Sequence, residues 1–194
     1  MPLLDKVKQL REETAVSLSE CKKALEESGD NIEKAKELLR KWGKDLAGKK
    51  ASREVKSGII DTYLHPNKKV GVMLDIRCES DFVAKGPDFQ SLAHEICLQI
   101  AAMKPKYIKG ENIPEDIMIH EKQIYLAQFK ESGKPKNIIE SIIEGKLKKY
   151  RDEVSLLSQP WVKDSEKTIK DLIDEYIAKL GENIVVLNFV RYDI

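Results

Sequence analysis

Three cysteines and three histidines are the side chains of this 194-residue chain best suited to metal ligation or nucleophilic attack: Cys21, Cys78, Cys97, His65, His94 and His120. Metal sites draw ligands at short fixed spacings such as CxxC or HExxH, because one turn of chain must present two ligands to one ion. None of the six belongs to such a pattern, so no metal site is expected. His94 and Cys97 stand three apart and could meet on a helix, but amphipathic helices produce such pairs by chance. Gly133-Lys134-Pro135 lacks the rest of a phosphate-cradling loop, and no Gly-x-Ser-x-Gly elbow occurs. The expectation is a protein with no catalytic residue and no cofactor, which is not an enzyme.

The segment Glu79-Ser80-Asp81-Phe82-Val83-Ala84-Lys85 offers a different chemistry, that of recognition. It follows a strand pattern and precedes a helix pattern, a connection that solvent normally makes polar. Phe82 has two readings: a lid folded back on the sheet, or an exposed aromatic beside a carboxylate, as in an interface hot spot.

Positioning that segment falls to the elements around it. Val70, Val72, Leu74, Ile76 and Cys78 alternate with more polar residues, the period of a half-buried strand. A first strand over Ile60 to Leu64 and a turn at His65-Pro66-Asn67-Lys68 complete an antiparallel hairpin. After it, Phe89, Leu92, Ala93, Ile96, Ile100 and Met103 line one side of a helix. Further helices are expected after Pro114, after Pro135 (Ile139, Ile142, Ile143, Leu147 and Tyr150 inward), and through Ile169 to Leu180. The final stretch, Asn183 to Asp193, is apolar on both faces. It is expected either between a helical layer and another protein surface, or in the centre of a sheet covered on both sides.

The first 43 residues read as three short helices. Leu3, Leu4, Val7 and Leu10 mark the first; Ser17 and Glu20 have capping-box spacing for the second, with Gly29 closing it. Asp30 is placed to cap the third, and Gly43 to stop it. Residues 44–57 carry Lys44, Lys49, Lys50, Arg53 and Lys56 among few large apolar residues, a solvated linker that can be partly helical.

Thirty-four basic and 33 acidic residues leave a net charge of +1, without the broad positive field of a nucleic-acid binder. No apolar run approaches the roughly 18 residues of a membrane span, so no membrane partner is expected. The N-terminus shows no signal-peptide core, and three scattered cysteines suit a reducing compartment. Cytoplasm is the expected location.

Ile76-Arg77-Cys78-Glu79-Ser80-Asp81-Phe82-Val83-Ala84-Lys85 resembles the signature of the elongation factor Ts family, an N-C-E-T-D-F-V-A-type stretch after a hydrophobic strand. Leu10-Arg11-Glu12-Glu13-Thr14 and Cys21-Lys22-Lys23-Ala24-Leu25-Glu26 resemble the family's N-terminal pieces. Gly133-Lys134-Pro135, Gln159-Pro160-Trp161-Val162 and Phe189-Val190-Arg191-Tyr192 resemble its C-terminal ones, in order. The resemblance implies an α+β fold: a ubiquitin-associated-like (UBA-like) three-helix domain over 1–43, a linker over 44–57, and a core and dimerisation domain over 58–194. That core would hold a three-stranded antiparallel sheet packed by helices. It also implies a guanine-nucleotide exchange factor that binds the GTPase domain of elongation factor Tu and promotes GDP release by disturbing its magnesium and phosphate site.

Carried over residue by residue, the resemblance makes Ser80, Asp81, Phe82 and Val83 the wedge, with His65 and the turn holding Val16 and Leu18 as secondary contacts. Two departures stand out. Ser80 replaces the usual Thr and keeps its hydroxyl, while Ala15-Val16-Ser17-Leu18 replaces a glycine-containing turn. Longer family members carry two related core modules where this chain has one, which implies a homodimer in which two copies supply both.

Overall fold

The computed structural model describes residues 2–14, 16–129 and 135–194; Met1, Ala15 and the Gly133-Lys134 part of the Gly133-Lys134-Pro135 fragment lie outside these. In chain order the elements begin with α1 (Leu3–Thr14), α2 (Leu18–Glu27), α3 (Ile32–Lys50), β1 (Ser57–Leu64) and β2 (Val70–Cys78). They continue with α4 (Asp81–Ala84), α5 (Pro87–Met103), α6 (Glu115–Gln128) and α7 (Lys136–Val154). A short pair, β3 (Pro160–Trp161) and β4 (Asp164–Thr168), leads to α8 (Ile169–Leu180) and β5 (Val185–Asp193). The fold is mixed helix and strand.

The three N-terminal helices enclose Val7, Leu10, Cys21, Ala24, Leu25, Ala35 and Leu39 in a small apolar cluster of their own. Ser17 caps α2, its hydroxyl accepting from the Glu20 amide at 3.3 Å and donating to the Glu20 carboxylate at 2.7 Å. Gly29 closes α2 in the left-handed region, as its residue type predicts. Asp30 also has a positive φ, so it lacks the extended backbone that a cap requires. The cap of α3 is instead Asn31, whose side-chain oxygen accepts from the Lys34 amide at 3.1 Å.

Gly43 does not stop α3, which runs on to Lys50 through much of the basic stretch. A mid-helix glycine costs about 1 kcal/mol against alanine; here Gly43 and Ala47 are buried and lie against α8. A Cβ built on Gly43 would stand 3.6 Å from the Ala178 Cβ. Lys44 pairs with Asp171 at 2.7 Å and the Lys50 ammonium donates to the Gly181 carbonyl. Tertiary packing overrides the local stop signal.

β1 and β2 form the expected hairpin, with Ser57 opposite Cys78 and Leu64 opposite Gly71. β5 pairs antiparallel with the other side of β2, giving the order β1-β2-β5. The central strand is therefore β2 and β5 is an edge, so of the two placements expected for the final strand the central one is ruled out. The inner face, with Val72, Leu74, Ile76 and Val186, packs on Phe89, Leu92, Ala93, Ile96 and Ile100 of α5. Ile169, Leu172, Ile173 and Ile177 of α8 extend the same core.

The outer face carries Ile60 and Leu64 of β1, Met73 of β2, and Val190 and Tyr192 of β5 in register. Leu187 stands at a bulge where the β2–β5 register shifts. All six are exposed, Met73 by 54% and Tyr192 by 75%. The second apolar face of the last strand is thus a solvent-facing one.

The α6–α7 pair packs shallowly: Ile143 alone is buried on α7, with Ile139, Ile142, Leu147 and Tyr150 half-buried, the face that the spacing predicted. The β3–β4 pair, not foreseen, is pinned by the buried Gln99 side chain. It accepts from the Val162 amide at 2.9 Å and donates to the Pro160 carbonyl at 3.1 Å. Among the described residues no helix is long and apolar enough to cross a membrane.

Candidate partner-binding site

Strand β2 ends at Cys78 and the chain turns a tight corner before α5. Ser80 caps the single turn of α4, its hydroxyl accepting from the Val83 amide at 3.3 Å. The Ala84 and Lys85 amides donate to the Ser80 and Asp81 carbonyls, each at 3.1 Å. Val83 and Ala84 take the two inward positions of this turn and are buried. Phe82 is thereby left outward and 88% exposed. That settles the orientation: the ring is no lid on its own sheet. Leaving it in water forgoes about 2 kcal/mol that burial would contribute. Asp81 beside it is also exposed, with the Lys85 ammonium 3.9 Å from its carboxylate.

The corner is held from across the chain. The Glu182 carboxylate accepts from the Glu79 amide at 3.1 Å, the Ser80 amide at 2.9 Å and the Ser80 hydroxyl at 2.6 Å. Reciprocally, the Glu79 carboxylate accepts from the Asn183 amide at 2.6 Å and lies 3.6 Å from the Arg53 guanidinium. The Asn183 side chain donates to the Arg53 carbonyl at 2.8 Å, tying the segment between α3 and β1 to the same knot. Burial, then the Glu182 charge, pushes the Cys78 thiol above its ordinary value. Sequence reading missed Glu79, Glu182 and Asn183 as partners, because about a hundred residues separate the two sides and no local pattern links them.

The other expected contacts lie apart from this corner. His65 sits in the exposed hairpin turn, its Nδ1 2.8 Å from the Tyr63 hydroxyl. The length of β2 separates it from Ser80, about 26 Å at strand rise. Val16 and Leu18 flank the start of α2. Leu18 is exposed, whereas Val16 is half-buried and lines a cleft with Leu39, Gly43 and Ala178. The structure brings Ser80, Asp81, Phe82 and Val83 together, and neither of the secondary contacts joins them.

Of the side chains first considered for chemistry, the three cysteines and His94 are held within the fold. All three thiols are buried. Cys97 is pushed up to about 12 by burial and by the Asp61 carboxylate, so it is a poor nucleophile. His94 faces Asp61, with Nδ1 3.9 Å from Oδ2. Among the described residues no group of three His, Cys, Asp or Glu could hold a metal ion.

The class that this geometry defines is an α+β protein displaying one aromatic side chain on a braced strand-to-helix corner, beside an N-terminal helical trio. The chain belongs to the elongation factor Ts family: the family model described as Elongation factor TS matches residues 3–194. It is 50% identical over 188 residues to the elongation factor Ts of Thermosipho melanesiensis, covering 97% of this chain and 96% of that protein. It is 52% identical over 188 residues to that of Thermodesulfovibrio yellowstonii, covering 97% and 94% respectively.

Proposed function

We propose that this chain is a guanine-nucleotide exchange factor for elongation factor Tu in translation elongation. The single observation that carries the mechanism is the outward, 88% exposed Phe82 ring on a corner whose backbone is braced. Ser80, Asp81, Phe82 and Val83 form the wedge. Phe82 enters the partner's GTPase domain, Asp81 offers a carboxylate beside it, and Ser80 and Val83 set the turn. The wedge disturbs the magnesium and phosphate contacts that hold GDP. His65, Val16 and Leu18 make secondary contacts on the same partner. The reading requires no catalytic group and no cofactor.

An exchange factor must bind the nucleotide-free partner better than the GDP form, and linkage makes GDP weaken its binding by the same factor. A differential of about 5 kcal/mol shifts a two-state partner almost fully. One buried aromatic hot spot supplies about 2 to 4 kcal/mol of that.

We further take the chain as a UBA-like unit over 1–43, a linker over 44–57 and an α+β core over 58–194. Two separate apolar clusters support this division, although α3 spans its first boundary. The core pairs with a second copy through the outer sheet face, where Ile60, Leu64, Met73, Val190 and Tyr192 form an exposed apolar patch. The protein works in the cytoplasm, without direct contact to nucleic acid. The test is release of a fluorescent GDP analogue from purified elongation factor Tu. Adding the chain accelerates release on this reading, and an unchanged rate contradicts it.

A further inference from the structure

We infer that Glu182 is a positioning residue for the wedge: its carboxylate fixes the corner that presents Phe82, although it lies outside the Ser80–Val83 segment. This rests on the exchange reading above and deepens it. Beyond Cys78 the chain leaves the sheet, so the Glu79 and Ser80 amides need another acceptor. One oxygen of Glu182 accepts both, at 3.1 and 2.9 Å. The other oxygen accepts the Ser80 hydroxyl proton at 2.6 Å. That bond fixes the direction of the proton and turns a lone pair of Ser80 Oγ toward the Val83 amide, which it meets at 3.3 Å. The capping bond of α4 is therefore set in two steps by a residue a hundred positions away.

Charge matters to this device, because a carboxylate offers acceptors on both oxygens and an amide does not. The reciprocal bonds of Glu79 to the Asn183 amide and Arg53 hold Glu182 itself in place. α4 has only one turn and no macrodipole of any size to orient it, so its placement depends on these bonds and on the buried Val83 and Ala84. A wedge whose backbone is fixed before contact loses less freedom on binding, and its pre-organisation appears in the rate of partner engagement.

The test is a double-mutant cycle on the full chain, reading kcat/KM for release of fluorescent GDP from elongation factor Tu. Glu182→Ala is expected to lower kcat/KM about tenfold, equivalent to about 1.4 kcal/mol. Glu182→Gln keeps the side-chain shape and guards against misfolding, and it moves the same way by a smaller factor. In a Phe82→Ala background, either change has little further effect, because there is no ring left to position. Amide hydrogen exchange at Val83 quickens in both variants while exchange within β2 stays as in the unsubstituted chain. Equal losses with and without Phe82, or wild-type exchange by both Glu182 variants, overturn the inference alone. Wild-type exchange by Phe82→Ala overturns the wedge reading and the inference with it.

Discussion

Ser80 carries two duties on one oxygen: it donates to Glu182 and accepts from the Val83 amide. Removing the hydroxyl loses a cap and strands part of a carboxylate's bonding, so Ser80→Ala is expected to cost about 1 to 2 kcal/mol of stability. Ser80→Thr keeps the hydroxyl and is expected to be nearly neutral. Chemical denaturation of both variants checks this, and equal losses would show that the hydroxyl is not the cause. The cysteines give a second test at this scale. All three are buried, and Cys97 ionises only near pH 12 in the fold. A thiol-reactive dye should therefore label the native chain very slowly at pH 8 and rapidly once urea unfolds it. Fast labelling of the native chain at three sites would contradict the burial.

At the scale of elements, the junction of α3 and α8 is where local signals and tertiary packing part company. Gly43 looks like a helix stop because glycine is poor in a helix, yet its burial against Ala178 keeps the helix running. A Cβ at Gly43 would make only ordinary contacts, at 3.6 Å and beyond, so Gly43→Ala should gain about 0.5 to 1 kcal/mol. Gly43→Leu should destabilise by overpacking, about 1 to 3 kcal/mol. Thermal melts order the three proteins, and a more stable leucine variant would refute the close packing.

The adjoining Lys44–Asp171 pair is pH-sensitive. Burial raises the Asp171 carboxyl, but Lys44 and the Thr168 bonds outweigh it and hold it below its ordinary 3.8. A depressed folded-state value gives stability that is present above the unfolded value and lost as pH falls through the folded one. Lys44→Ala should cost about 0.5 kcal/mol at neutral pH, since the lysine is largely exposed, and little once the pH has fallen through the folded-state value of Asp171. The period-2 strand of Val70 to Cys78 and the spaced apolar faces of α5 and α8 were legible in sequence, because each follows from its own alternation. The edge position of β5 was not, since side chains report what covers the two faces of a strand and not how many strands pair with its backbone on either side. Likewise Phe82's outward turn depended on Val83 and Ala84 claiming the inward positions, and its bracing on Glu182, which lies far off in the chain.

For the whole molecule, the open outer face of the sheet and the exposed ring are separate surfaces, proposed above for a second copy and for the GTPase respectively. Met73 lies centrally on that face, between Thr62 and Val190. Met73→Glu would place charges against one another across the pairing and should yield a monomer by sedimentation; a dimer unaltered by the substitution would assign pairing to another surface. In the proposed exchange mechanism, everything depends on the Phe82 ring reaching another molecule's nucleotide site. The most direct test is stopped-flow release of fluorescent GDP from elongation factor Tu, comparing the unsubstituted chain with Phe82→Ala. The account predicts an equally stable variant whose kcat/KM falls by about 30-fold or more, a loss of about 2 kcal/mol. A folded Phe82→Ala chain that releases GDP at the full rate would contradict it.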